Sequence, residues 1–243
     1  MVEFNVDFKK EGIESGVAIG RFDEALKELT KNGHKVISLS ENACLRANAL
    51  RRSKISQHGN DVREGNIYHK GEKGIVVANS PYLTNDSMLQ EAITANANRM
   101  HYSTPNRKLY DKFYKQAQED ASKNPSERRA VLMPSDKEFA LSDTQNPELF
   151  EFLFGRLGGL YLNFIQRPVD FFSISPEDKF IQHSVAFVPI SQEELQKYSG
   201  TVLTPMWFSD VDWSSALRGA DKGLHHDFCK VRGIRRSESI KIK

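Results

Sequence analysis

Apolar and polar positions alternate at the start of the chain, with Val2, Phe4, Val6 and Phe8 set against Glu3, Asn5 and Asp7. A period of two places the first set on one face of a strand. Phe22, Ala25, Leu26 and Leu29 then recur at helical spacing, and Gly33 closes a helix over residues 21–32. The run Val36-Ile37-Ser38-Leu39 predicts a second strand, and residues 43–50 predict a second helix. The N-terminal portion therefore reads β-α-β-α.

Further on, residues 66–70 and 75–78 flank Gly71-Glu72-Lys73-Gly74 and predict a hairpin. Leu89, Ile93, Ala97 and Met100 mark one helix, and Pro105 opens another that carries Leu109, Phe113 and Ala117. A short strand is expected at 129–133. Asn146-Pro147-Glu148 starts a helix that is apolar around most of its circumference as far as Gln166. A helix without a wide polar stripe belongs in the interior. Its glycines, Gly155, Gly158 and Gly159, imply close packing against another backbone. Residues 170–175, 180–190 and 201–208 read as strands, with Ser191 and Glu194 forming a capping box before a short helix. The expected fold is α/β of the α+β type, a buried central helix packed on a mixed or antiparallel sheet. Residues 1–232 are expected to form a single α/β domain, and two lobes would divide near 123–128, at Lys123-Asn124-Pro125-Ser126. Residues 233–243 read as a basic flexible tail.

Composition narrows the classes. With 39% hydrophobic and 27% charged residues and a net charge of +2, the 243-residue chain is of ordinary globular type. Neither a nucleic-acid partner nor a membrane follows from the overall balance. No run approaches the ~20 apolar residues of a spanning helix. No apolar stretch behind a basic start marks a secretory signal, so the expected compartment is cytoplasmic, with Cys44 and Cys229 as free thiols. Charge is concentrated at one end. From Ser214 onward Arg218, Lys222, Lys230, Arg232, Arg235, Arg236, Lys241 and Lys243 oppose only Asp221, Asp227 and Glu238.

The candidate chemistry centres on Cys44. Placed in the first turn of the helix over 43–50, its thiolate would be favoured by unpaired backbone N–H groups and the positive helix end. His183 opens a strand-like run 139 residues later, and Asp210 or Asp212 follows the next strand. A cysteine at a helix start, a histidine on a distant strand and a third polar group have the roles of a papain-like triad. The expectation is a cysteine-dependent hydrolase of amide or isopeptide bonds acting on a protein or peptide substrate. Cys44 would be nucleophile, His183 base and Asp210 orienting group, with no cofactor or metal. Glu41-Asn42-Ala43-Cys44-Leu45-Arg46-Ala47 resembles the Asp-Gly-Asn-Cys-Leu-Phe-Arg-Ala signature of OTU-type deubiquitinating proteases, with His183-Ser184-Val185 standing for that family's histidine. It departs in Glu for Asp, Ala before the cysteine, and one residue fewer before Arg-Ala.

Other readings compete. Free cysteine is among the most buried residue types, so Cys44 also suits a core position. Ser38, Ser40 and the N–H groups of residues 41–43 would cradle an anion, with Arg46 or Arg51 adding charge, although Glu41 opposes it. His226 and Cys229 lie three apart in His225-His226-Asp227-Phe228-Cys229 and on a helix would share a metal. The alternative function is a non-catalytic protein that binds nucleic acid or an anionic ligand through the basic tail. Arg156, inside the apolar helix, requires either a carboxylate partner or a pocket.

Overall fold

The computed structural model describes residues 2–10, 12–49, 53–97, 106–165, 185–198, 200–209, 216–219, 224–226 and 228–236. Strands β1 (Glu3–Lys10) and β2 (Ile13–Gly20) form an antiparallel hairpin that turns at Gly12, where φ is +79°. Helix α1 (Phe22–Lys31) follows, then the two-residue strand β3 (Lys35–Val36) and helix α2 (Leu39–Asn48). The order is thus β-β-α-β-α rather than β-α-β-α. The sequence of β2, IESGVAIG, hides its nature because the strand is paired on both sides and shows no clean alternation. Gly16 is required there, since a Cβ would stand 2.6 Å from the Phe4 ring.

A one-turn helix, α3 (Lys54–Gln57), leads to the long strand β4 (Asn60–His69), which pairs antiparallel with β5 (Ile75–Val77) as the hairpin pattern predicts. Helices α4 (Asp86–Ala97) and α5 (Arg107–Ala121) precede β6 (Ala130–Leu132) and β7 (Phe139–Leu141). Helices α6 (Pro147–Phe154) and α7 (Gly158–Ile165) come next, then β8 (Val185–Val188), α8 (Gln192–Leu195), β9 (Thr201–Phe208), β10 (Leu217–Arg218) and β11 (Cys229–Arg236). The strands form one sheet in the order β1-β2-β11-β4-β9-β10-β8-β7, with β3 on β11 and β5-β6 branching from β4. It is mixed, because β11 runs parallel to β4 and β10 parallel to β8, while the other pairs are antiparallel. The fold is α+β.

Helices cover both faces of this sheet. Val62, Val202, Met206, Phe208 and Ile234 pack with α2, α6 and α7 on one side. Ile67, Leu203 and Val231 turn to the other side, where α1, α4 and α5 supply Leu29, Met88, Leu89 and Tyr110. Adjacent strand residues such as Val202 and Leu203 divide between the two cores, as the pleat requires.

The continuous central helix expected over 147–166 is broken. Gly155 has φ +56°, and a 3-10 turn, Gly155–Leu157, separates α6 from α7. Left-handed backbone is cheap only for glycine. The break lets Phe154 stack on Tyr161 at 5.7 Å while Tyr161 meets Phe208 edge-on at 5.4 Å. It also turns Leu160 outward, 54% exposed, although its spacing from Leu153 and Phe164 puts all three on one face of an unbroken helix. Gly158 does mark a close approach, since a Cβ there would stand 2.4 Å from the Phe150 ring, a side chain rather than backbone, and Gly159 faces open space. Arg156 lies exposed in the turn and needs no buried partner.

Candidate functional site

The start of α2 is filled by the protein's own carboxylates. Ser38 caps the helix, its Oγ accepting from the Glu41 N–H at 3.2 Å while the Ser38 N–H donates to Glu41 Oε2 at 3.0 Å. The next free donor, the Leu39 N–H, is taken by buried Glu64 at 2.9 Å. Ser40 Oγ donates across to the Phe154 carbonyl at the end of α6. The anion cradle predicted from Ser38, Ser40 and the N–H groups of residues 41–43 is therefore already occupied. Burial pushes the Glu64 carboxyl up to about 7, against the opposing hydrogen bonds from its own and the Leu39 N–H.

Cys44 lies five residues beyond Leu39, the first residue of α2, and not in the first turn. Its N–H is past the four donors that a helix start leaves unpaired, so Cys44 is not at the helix end where the sequence pattern placed it. The half-buried thiol lies 3.5 Å from Asn48 Nδ2, one turn along. His183 and Asp210 lie outside the described residues, as does Asp212.

The basic end is also differently built. β11 runs through Arg236, so residues 233–236 are strand rather than tail, while 237–243 lie outside the described residues. Arg232 is fully buried and pairs with Asp7 at 2.6 Å, with Ser15 and Asn60 accepting further hydrogen bonds. Arg235 pairs with Glu14 and Arg236 with Glu41. All three arginines thus face carboxylates, Arg232 from the interior and Arg235 and Arg236 from exposed positions. Arg46 is the second buried cation. It spans from α2 to the end of β9, donates to the Ser209, His58 and Phe208 carbonyls, and lies 3.8 Å over the Phe208 ring.

What the basic end does present is aromatic. Leu224 is buried and its carbonyl accepts from the Phe22 N–H at 3.1 Å, and Cys229 is buried at the start of β11. Between these anchors the rings of His225 and His226 lie 4.1 Å apart, and His226 stacks on Phe228 at 4.8 Å and 15°. Phe228 is 60% exposed, the most open of the large apolar side chains among the described residues. The sequence marked these residues as metal-capable on a helix. In the structure Cys229 begins a strand and enters the core, leaving half-buried His226 in the ring row. Among the described residues no group of three or more His, Cys, Asp or Glu side chains converges to hold a metal.

A second polar cluster joins α5 to the sheet. Thr201 Oγ1 donates to Asp111 at 2.7 Å, and His69 Nδ1 lies 3.0 Å from the same hydroxyl. The hydroxyl has one proton, committed to the carboxylate, so His69 Nδ1 carries the proton of the second bond. His69 also stacks on Tyr114 at 5.1 Å.

Neither a family model nor a curated protein matches this sequence. Among solved structures, a protein described under "Accommodation of massive sequence variation in Nanoarchaeota by the C-type lectin fold" superposes with a TM-score of 0.55. The match covers 97% of each chain at 11% identity. The likeness is one of fold. A C-type lectin fold is not the papain-like architecture, and this overturns the cysteine-hydrolase expectation and the thiol-protease class with it. The correction has a local cause as well, because α2 begins at Leu39, too early for Cys44 to sit at its start. Among the described residues, no helix is long and apolar enough to cross a membrane.

Proposed function

We propose that this chain is a non-catalytic binding protein of lectin type, which recognises a saccharide through the ring row that ends in Phe228. The open face of Phe228 carries the proposal. An aromatic face is electron-rich, and the C–H-bearing face of a pyranose lies flat on it. His226 stacks behind that ring and holds its plane. Leu224 and Cys229, on either side of the row, are both buried.

The framework supports the same role. Arg46 and Arg232 fasten α2, β9, β11 and β1 from inside, with no help from exposed side chains. The solved relative is described as a case in which the C-type lectin fold accommodates massive sequence variation. A fold secured from within suits that division, with outward residues free to set specificity.

The test is a glycan array probed with the full chain and with Phe228→Ala. Selective binding to pyranose-bearing glycans, weakened about tenfold in the variant, is the expected result. Phe228→Ala should leave thermal stability unchanged, because the ring is mostly in water. A blank array, or equal binding by both proteins, rejects the saccharide.

A further inference from the structure

The helical layer on the α1 side leaves an open cleft of about 640 Å³ between α1, the 3-10 turn Pro81–Leu83 and the start of α4. That size falls within the range of small-molecule sites. Leu26, Leu83 and Leu89 give it an apolar lining. One wall is a closed polar bridge. Asp23 accepts from Arg21 at 2.7 and 3.0 Å and from Gln90 Nε2 at 3.0 Å, which joins α1 to α4. Burial works against the Asp23 charge, but the Arg21 and Gln90 hydrogen bonds outweigh it and hold the carboxyl at about 2. With its oxygens taken, Asp23 serves as wall rather than as ligand group.

Two other lining charges are uncommitted. Lys27 on α1 and Asp86 at the start of α4 line the same cleft with opposite sign. Neither has a hydrogen-bond or ion-pair partner among the described residues. Lys27 lies four residues after Asp23, and Asp86 four residues before Gln90. Each is therefore about one helical turn, roughly 6 Å, from the bridge. The cleft thus offers one cation, one anion and an apolar lining within a small-molecule volume.

We propose that this cleft binds a small zwitterion with an apolar side chain, of the free α-amino acid class. Its carboxylate meets Lys27, its ammonium meets Asp86, and its side chain covers Leu26, Leu83 and Leu89. No ring-row residue lines the cleft, and the proposal does not depend on saccharide recognition.

Isothermal titration of the full chain decides the matter with four probes. These are L-leucine, 3-methylbutylamine (ammonium only), 4-methylpentanoate (carboxylate only) and glycine (no apolar part). Leucine should bind, and each of the other three at least about tenfold more weakly. Lys27→Gln and Asp86→Asn should each weaken leucine binding about tenfold, and Phe228→Ala should not change it. Lys27 and Asp86 make no structural contact that these variants remove, so folding is preserved. Absence of leucine binding at millimolar concentration overturns the proposal. Binding of the amine or the carboxylate as strong as that of leucine, or binding unaffected by both variants, overturns it equally.

Discussion

Glu64 makes the stability of this protein depend on pH near neutrality. It lies on β4, 5% exposed, with Oε2 accepting the Leu39 N–H at the start of α2. Burial raises its carboxyl from 4.5 to about 7, with Glu41 pushing the same way and Arg63 opposing. A carboxyl whose folded value lies above its unfolded value binds a proton on folding. Its contribution is fully present below about pH 4.5 and is lost as pH rises through about 7. The gap corresponds to about 3 kcal/mol, taking about 1.36 kcal/mol for each pH unit. Glu64→Gln keeps an acceptor for the Leu39 N–H and removes the titration. Urea unfolding of both proteins from about pH 5 to about pH 8 gives the difference in stability, in which titrations common to both cancel. Across that range Glu64→Gln should gain on the wild type by about 2–3 kcal/mol. A difference constant to within about 0.5 kcal/mol would refute the placement of a buried, neutralised carboxyl at the start of α2.

Three further outcomes are expected. Asp7→Ala leaves Arg232 charged and buried and should cost about 3–5 kcal/mol in urea unfolding, whereas Lys9→Ala, at an exposed pair with Glu14, should cost less than about 1 kcal/mol. Leu153→Ala, at 1% exposed, should cost about 2–5 kcal/mol, and Leu160→Ala, at 54% exposed, should shift the midpoint no more than a surface change does. Iodoacetamide should label half-buried Cys44 in the folded protein and reach Cys229 only on unfolding; labelling of Cys229 as fast as Cys44 without denaturant would refute its burial at the start of β11.

Legibility did not follow exposure: β1 and the largely buried β9 were both read as strands, whereas β2 and β11 were not. Alternation in residues 2–8 announces β1, although a register shift between Val6 and Phe8 leaves Val6 half exposed and the Asp7 side chain buried, and β4-β5 is announced by glycines at its turn. β2 and β11 are flanked by partners on both sides, and their glycines and buried polar residues break the alternation on which the eye relies. Residues 147–166 mislead in the opposite direction. Their apolar content is right for burial, since Leu149, Phe150, Phe154 and Tyr161 are all core. Only the positive φ at Gly155 decides that they form two helices, and composition does not encode a dihedral angle.

Charge was the least legible property, and the reason lies in sequence distance. Arg232 looks like one more cation in a basic end, yet Asp7, its partner, is 225 residues away. Arg46 reads as added charge for an anion cradle, but its guanidinium reaches the Ser209 carbonyl 163 residues on. A cation is solvated or internal according to what the fold brings beside it, and partners so remote leave no local pattern. Arg232 is committed to Asp7 inside the fold, while Arg235 and Arg236 meet Glu14 and Glu41 from exposed positions, where an ion pair is weak. The apolar group that the described part of the basic end leaves in water is the face of Phe228, a ring backed by two imidazoles. Cations turned inward to hold strands, and an aromatic face turned outward beside them, are the arrangement on which the proposed saccharide binding rests.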